Sequence, residues 1–152
     1  MANQKKNMEQ KLKHLEFIQN IITRMNKNSF QIKSLTITIV AALMAVYAST
    51  KEISFICISI APTLIFWFLD SYYLQQERKF RGVYNDVAGI KNVHEVKPFE
   101  MPIQKYKGDN YCFFNVFTSK TIIWFYLSII ILLLITGIVL SLKDCCIIIK
   151  CL

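Results

Sequence analysis

The residues equipped for chemistry are few and scattered. The two histidines, His14 and His94, lie far apart in the chain. Neither has a cysteine or an acid at metal-ligand spacing. No glycine-rich phosphate loop, nucleophile elbow or Walker sequence is present. The sequence therefore predicts no catalytic residue, no metal and no cofactor. What remains is electrostatic. Arg78, Lys79 and Arg81 cluster, and Lys91, Lys105 and Lys107 follow. Interleaved with Tyr72, Tyr73, Tyr84 and Tyr106, such cations can neutralise phosphates while the rings stack on bases. These six basic residues are the candidate ligand contacts, for a nucleotide or short oligonucleotide. Membrane topology alone would also place lysine and arginine here. Asp70 is the acid of most interest, because it ends an apolar run. An acid at membrane depth is costly and usually partnered, so Lys33, Arg24 or a neighbouring subunit's Arg78 is its expected ion pair. The plainer alternative is a snorkelling end residue. Glu77 and Asp86 read as ordinary helix-surface groups.

The elements that position these residues are set by three apolar runs, at 34–49, 53–69 and 121–142. At about 1.5 Å per residue the third covers about 33 Å, a hydrocarbon thickness. The first two cover about 25 Å each, and only Thr50, Lys51 and Glu52 separate them, which predicts a tight helical hairpin. The expected fold is an all-α membrane protein. It has an N-terminal amphipathic helix (1–33), a transmembrane hairpin (34–70), a stalk and basic insert (71–119), a third span (120–143) and an outer tail (144–152).

Charge orients it. The formal net charge is +8. Lysine and arginine concentrate before the first span and between the second and third, while the hairpin tip holds only Lys51. Cytoplasmic segments keep such residues. The N-terminus and insert are expected inside, the hairpin tip and C-terminus outside. The same basic face would attract anionic lipid. No cleavable signal is apparent, so the first span is expected to act as an uncleaved anchor. The cysteines (Cys57, Cys112, Cys145, Cys146 and Cys151) form no framework, although the tail trio leaves an intermolecular disulfide open.

Along the chain, residues 1–7 are expected to fray. Met8, Leu12, Leu15, Ile18, Ile22 and Met25 then recur at three- and four-residue steps, the mark of a helix with one apolar stripe. Glu9 and Lys13 sit one turn apart on its polar side. Asn26, Asn28, Ser29 and Lys33 predict a bend before the first span. Within that span Ser34, Thr38, Ala41, Ala42, Ala45 and Ser49 share a face of small residues, suited to packing on the second span or another subunit. Leu35, Ile39, Leu43 and Val46 are left for lipid. Thr63 continues a weaker polar line with Ser59, and Pro62 predicts a kink. Tyr73, Glu77, Phe80, Tyr84 and Val87 extend the second helix as a stalk to about Ala88, with Gly89 as its stop. The stalk and N-terminal helix are expected to pair antiparallel. Pro98, Pro102 and Gly108 break any helix in the insert, which should be irregular or form short strands. Thr118 and Ser119 are N-cap candidates for the third span.

The stretches 15–19 (Leu-Glu-Phe-Ile-Gln), 24–33 (Arg-Met-Asn-Lys-Asn-Ser-Phe-Gln-Ile-Lys) and 66–78 (Phe-Trp-Phe-Leu-Asp-Ser-Tyr-Tyr-Leu-Gln-Gln-Glu-Arg) resemble small transmembrane effectors of bacterial nucleotide-signalled antiviral defence, of the CBASS or Hailong kind. The resemblance covers roughly the first ninety residues. It implies a bacterial inner-membrane homo-oligomer that forms a pore or disrupts the membrane when a cyclic nucleotide or short oligonucleotide binds. A nucleotidyltransferase would be its partner. The runner-up expectation is a non-conducting membrane anchor that recruits a soluble protein.

Overall fold

The computed structural model describes residues 2–150 apart from residue 92, with side chains described for 3–91, 93–140 and 142. The chain is all-helical, and no strand occurs among the described residues. Four α-helices follow one another: α1 (Ala2–Thr50), α2 (Ser54–Ala88), the short α3 (Phe113–Phe117) and α4 (Lys120–Lys150). Three of them are long and apolar enough to cross a membrane, as a multi-pass protein requires.

α1 departs from expectation at two places. It is helical from Ala2 rather than frayed, and it runs without a break through the bend expected at Asn26–Lys33. The reason is local. No proline or glycine lies between Ala2 and Thr50, and polar side chains on an exposed face do not interrupt the backbone ladder. Lys51 ends it in the left-handed conformation (φ 60°), donating its N–H to the Tyr47 carbonyl at 2.8 Å. α2 runs through Pro62 and stops where glycine was expected to stop it. Gly89 has φ 81°, Gly89 N–H bonds the Asp86 carbonyl and Ile90 N–H bonds that of Asn85. That is the paired closure of a Schellman motif. At the start of α4 the Ser119 carbonyl accepts from the amides of Ile122 and Ile123. α4 continues past the expected end of the third span at 143. The side chains of Cys145 and Cys146, and all of Cys151, lie outside the described residues.

The chain forms two compact units, and α1 and α2 each contribute to both. One comprises Met1–Phe30 and Ser71–Phe117. Its core is Ile18 and Ile22 of α1, Val83 of α2 and Tyr106 of the insert, with Phe80, Tyr84 and Val87 against them. This is the expected pairing of stalk and N-terminal helix. Only the middle of the α1 stripe is used, however. Met8 and Leu12 remain exposed. The insert is irregular, with single 3-10 turns at Ile103–Lys105 and Asp109–Tyr111, and the short strands allowed for it do not occur among its described residues. Its prolines and Gly108 (φ 117°) leave no run long enough to pair.

The other unit comprises Gln31–Asp70 and Thr118–Leu152. Ile56, Ile122 and Leu133 are buried in it, and Ile56 Cγ2 comes within 3.6 Å of where a Cβ on Gly137 would stand. Trp67 and Tyr126 stack with ring planes 4° apart. Three of its buried hydroxyls are satisfied inside their own helices: Ser59 donates to the Phe55 carbonyl, Thr63 to that of Ser59 and Thr36 to that of Ile32. Back-bonding of this kind lets a hydroxyl sit in apolar surroundings without an unpaired donor.

Candidate functional site

Asp86 organises the non-spanning unit, and it lies well past the apolar stretch of α2. Its sequence setting reads as a helix surface, but the structure buries it. Oδ1 accepts from Val93 N–H at 3.0 Å, and Oδ2 accepts from His94 N–H at 3.1 Å and from the Tyr106 hydroxyl at 2.7 Å. One carboxylate on α2 thus ties down two separate parts of the insert. Burial alone would push its carboxyl up. The tyrosine hydroxyl and the two amides stabilise the anion and bring it below the ordinary carboxylate value. Burial, and then the same carboxylate, push the Tyr106 phenol above its ordinary range. The Tyr106 ring is nearly perpendicular to those of His94 and Tyr111. It also covers Gly82, where a Cβ would stand 2.6 Å from its Cδ1. Glu77 is likewise buried, contrary to its surface reading, and is paired with Arg81 at 2.7 Å. A signal for both was present in the sequence. Glu77, Phe80, Val83 and Asp86 recur at three-residue steps on the face that α2 turns to the core.

Beside Asp86 lies a cavity of about 640 Å³. Gln10, Lys11 and His14 line it from α1, Asp86 from α2, and His94 and Glu95 from the insert. Its volume falls in the ordinary range for small-molecule sites, about 300–1,000 Å³, and convergent polar groups with shifted titration are what such sites carry. The two histidines that are distant in sequence therefore meet at one cavity. Among the described residues no cluster of histidine, cysteine and acid is arranged to hold a metal.

None of the six basic candidates lines that cavity, and only Lys79 and Lys107 share one of their own. Arg78 Nη1 donates to the Asn110 carbonyl at 3.4 Å, and Arg81 is held by Glu77. Lys79 and Lys107 line a separate cavity of about 440 Å³ with Tyr106 and Asp109, and Lys105 lines another with Lys97 and Glu100. Lys91 is exposed on the turn after α2. Arg78 and Arg81 are therefore engaged in holding the unit together, while Lys79 and Lys107 share one cavity wall.

In the spanning unit Asp70 is fully buried and pairs with Lys33 at 2.6 Å, the first of the partners expected for it. The small-residue face is not packed on the second span. Ser34, Thr38, Ala41, Ala45 and Ser49 are all exposed, and Thr63 alone of that candidate set is buried. α1 instead turns Ile32 and Thr36 inward. Of the residues left for lipid, Leu35 and Val46 are exposed and Ile39 and Leu43 half-buried. Cys57 and Cys112 are free and exposed.

No known protein family, curated protein or solved structure matches the chain.

Proposed function

We propose that the protein is an oligomeric membrane effector. Its non-spanning unit receives a small cytoplasmic signal, a cyclic nucleotide or short oligonucleotide, and its spans answer by opening a pore or otherwise breaching the bilayer, in antiviral defence. The observation that supports this reading is the position of the 640 Å³ cavity. It is walled by α1 and α2, the two helices that also supply two of the apolar spans. A ligand that moves either helix acts on a membrane-spanning element directly. The same unit holds thirteen lysines and arginines against seven acids, and such a field draws anions toward it. Three helices are too few to enclose a conduit, so assembly is part of the proposal, with a closed ring as the expected symmetry. The exposed face of Ser34, Thr38, Ala41, Ala45 and Ser49 is the surface on which spans of neighbouring copies would approach.

A second reading has its own observation. Met8, Leu12 and Phe17 are exposed large apolar side chains on the non-spanning part of α1, as an anchor recruiting a soluble partner would present. Purified protein in dye-loaded liposomes separates the two. Leakage that appears only with a cyclic nucleotide or oligonucleotide supports the effector. Silence with every nucleotide, together with a co-purifying soluble protein, establishes the anchor. Lys11→Gln, in the wall of that cavity, is expected to weaken nucleotide binding, and unchanged affinity removes the cavity from the proposal; Arg78→Gln, Lys79→Gln and Arg81→Gln together test the stalk cluster outside it in the same way.

A further inference from the structure

One backbone position in the insert is at odds with its residue type. Phe99 has φ 63°, the left-handed region that residues with a Cβ seldom enter and that bulky ones enter least. A phenylalanine offers no local hydrogen bond in compensation, so its surroundings must hold it there. They do so through one side chain of α1. Phe99 N–H donates to His14 Nδ1 at 3.4 Å, and the two rings lie 5.7 Å apart. The turn is closed by Glu100 N–H on the Lys97 carbonyl and by Lys97 N–H on Glu100 Oε2. Phe99 is 55% exposed and His14 only 2%. A buried imidazole is thus the peg on which an outward-facing, strained turn hangs.

An imidazole serves as that peg in one protonation state only. Nδ1 accepts from Phe99 while it carries no proton, which places the ring's hydrogen on Nε2. Nε2 is buried without a hydrogen-bond partner. Proton uptake would set an N–H against the Phe99 N–H and charge a buried ring. Burial holds the His14 pKa below the ordinary histidine value, against a smaller opposing pull from the Glu100 backbone. The ionisable groups around the cavity at His14 are Lys11 on its own helix, Asp86 on α2, and His94 and Glu95 on the insert, with Lys97 and Glu100 in the turn itself. Lys11 opposes a second positive charge. Asp86 has its oxygens occupied by Val93, His94 and Tyr106. Glu95 is exposed, where solvent screens it.

We infer that His14 is an acid-operated latch: neutral, it clamps the Lys97–Glu100 turn to α1, and protonated, it lets the turn go. A base whose folded pKa is depressed contributes stability that is complete above its unfolded value of 6.5 and is lost as pH falls through the lower folded value. Pro98, Glu95 and His94 line the cavity together with His14, so release would also open one wall of that cavity. Only this last consequence rests on the ligand-receiving reading, and the latch can be measured with no nucleotide present.

The test is amide hydrogen exchange on the full chain in nanodiscs, with rates divided by the intrinsic rate at each pH. Between about pH 7.5 and about pH 5 the Phe99 amide is expected to lose roughly tenfold or more of its protection, while amides of Ile18–Ile22 hold theirs. His14→Asn keeps an acceptor that does not titrate and should protect the turn at both pH values. His14→Leu should leave it unprotected at both. His94→Gln should respond as the parent does. In the parent, the midpoint of the loss should coincide with the His14 titration followed by NMR. Constant protection in the parent, an acid-labile His14→Asn, or midpoints about one pH unit or more apart would each overturn the latch. A latch that behaves as described while nucleotides fail to bind leaves this inference standing and removes the signal reading alone.

Discussion

Lys33 Nζ lies 2.6 Å from Asp70 Oδ2, and the carboxylate has no exposed surface. The pair joins α1 to α2 within the spanning unit. A buried ion pair adds little net stability against a well-packed apolar pair, but removing one partner takes away the other's counter-charge, at a cost of about 3–5 kcal/mol. Lys33→Met and Asp70→Leu are therefore each expected to destabilise the protein strongly, and the double variant to recover most of the loss. Thermal unfolding in detergent checks this. If the double variant is as unstable as the sum of the single ones, the two residues do not act as a pair.

Gly82 is occupied from above by the Tyr106 ring and the Tyr111 hydroxyl, each within 2.8 Å of where a Cβ would be. In an exposed helix, Gly→Ala is worth about 1 kcal/mol of stabilisation. Here Gly82→Ala should act in the opposite direction, because Tyr106 must leave the Asp86 carboxylate to make room. Tyrosine fluorescence and unfolding free energy would register the change, and a stabilised Gly82→Ala would show that the insert is not seated on α2.

Two groups give the non-spanning unit a pH profile at its extremes. Asp86 has a folded pKa below its ordinary 3.8, so its contribution is complete above 3.8 and is lost as pH falls through the lower folded value. Tyr106 is shifted up from 10.0, so its contribution is complete below 10 and is lost as pH rises through the folded value. Tyr106→Phe should flatten the alkaline limb and cost about 1–3 kcal/mol at neutral pH, since a buried charged acceptor loses one donor. Circular dichroism melts across the pH range would reveal it. An unchanged alkaline limb in Tyr106→Phe would detach the tyrosine from the carboxylate.

Orientation is open to direct measurement through Cys112, which is free and exposed. In a variant retaining only that cysteine, a membrane-impermeant maleimide should label it in inverted vesicles and leave it untouched in intact cells. Labelling from the outer side would reverse the topology on which the cytoplasmic signal depends.

The helices were legible because hydrophobic periodicity and the glycine stop at 89 are local signals. The continuity of α1 was not, because asparagine and serine at 26–29 look like a boundary when solvation is unknown, yet nothing there forbids the helical ladder. Lys33 could be proposed for Asp70 because both end apolar runs joined by a short hairpin. The burial of Asp86 was legible in its three-residue spacing from Glu77, Phe80 and Val83, but its partners, the Tyr106 hydroxyl and the amides of Val93 and His94, come from an insert without periodicity, and no pattern brings them to it. The same reason hid the meeting of His14 with Phe99. Burial decided the small-residue face of α1 against intramolecular packing, a choice that spacing alone leaves open.

The turn at Lys51 has a bearing on how the chain reaches its membrane. Fewer than four residues join the two apolar helices that flank it. A join that short leaves neither helix the slack to settle in lipid while its neighbour is still emerging from the ribosome. The insertion machinery must accept both as a single unit, and a soluble linker spliced in at Lys51 should cripple biogenesis even where it leaves the finished fold intact.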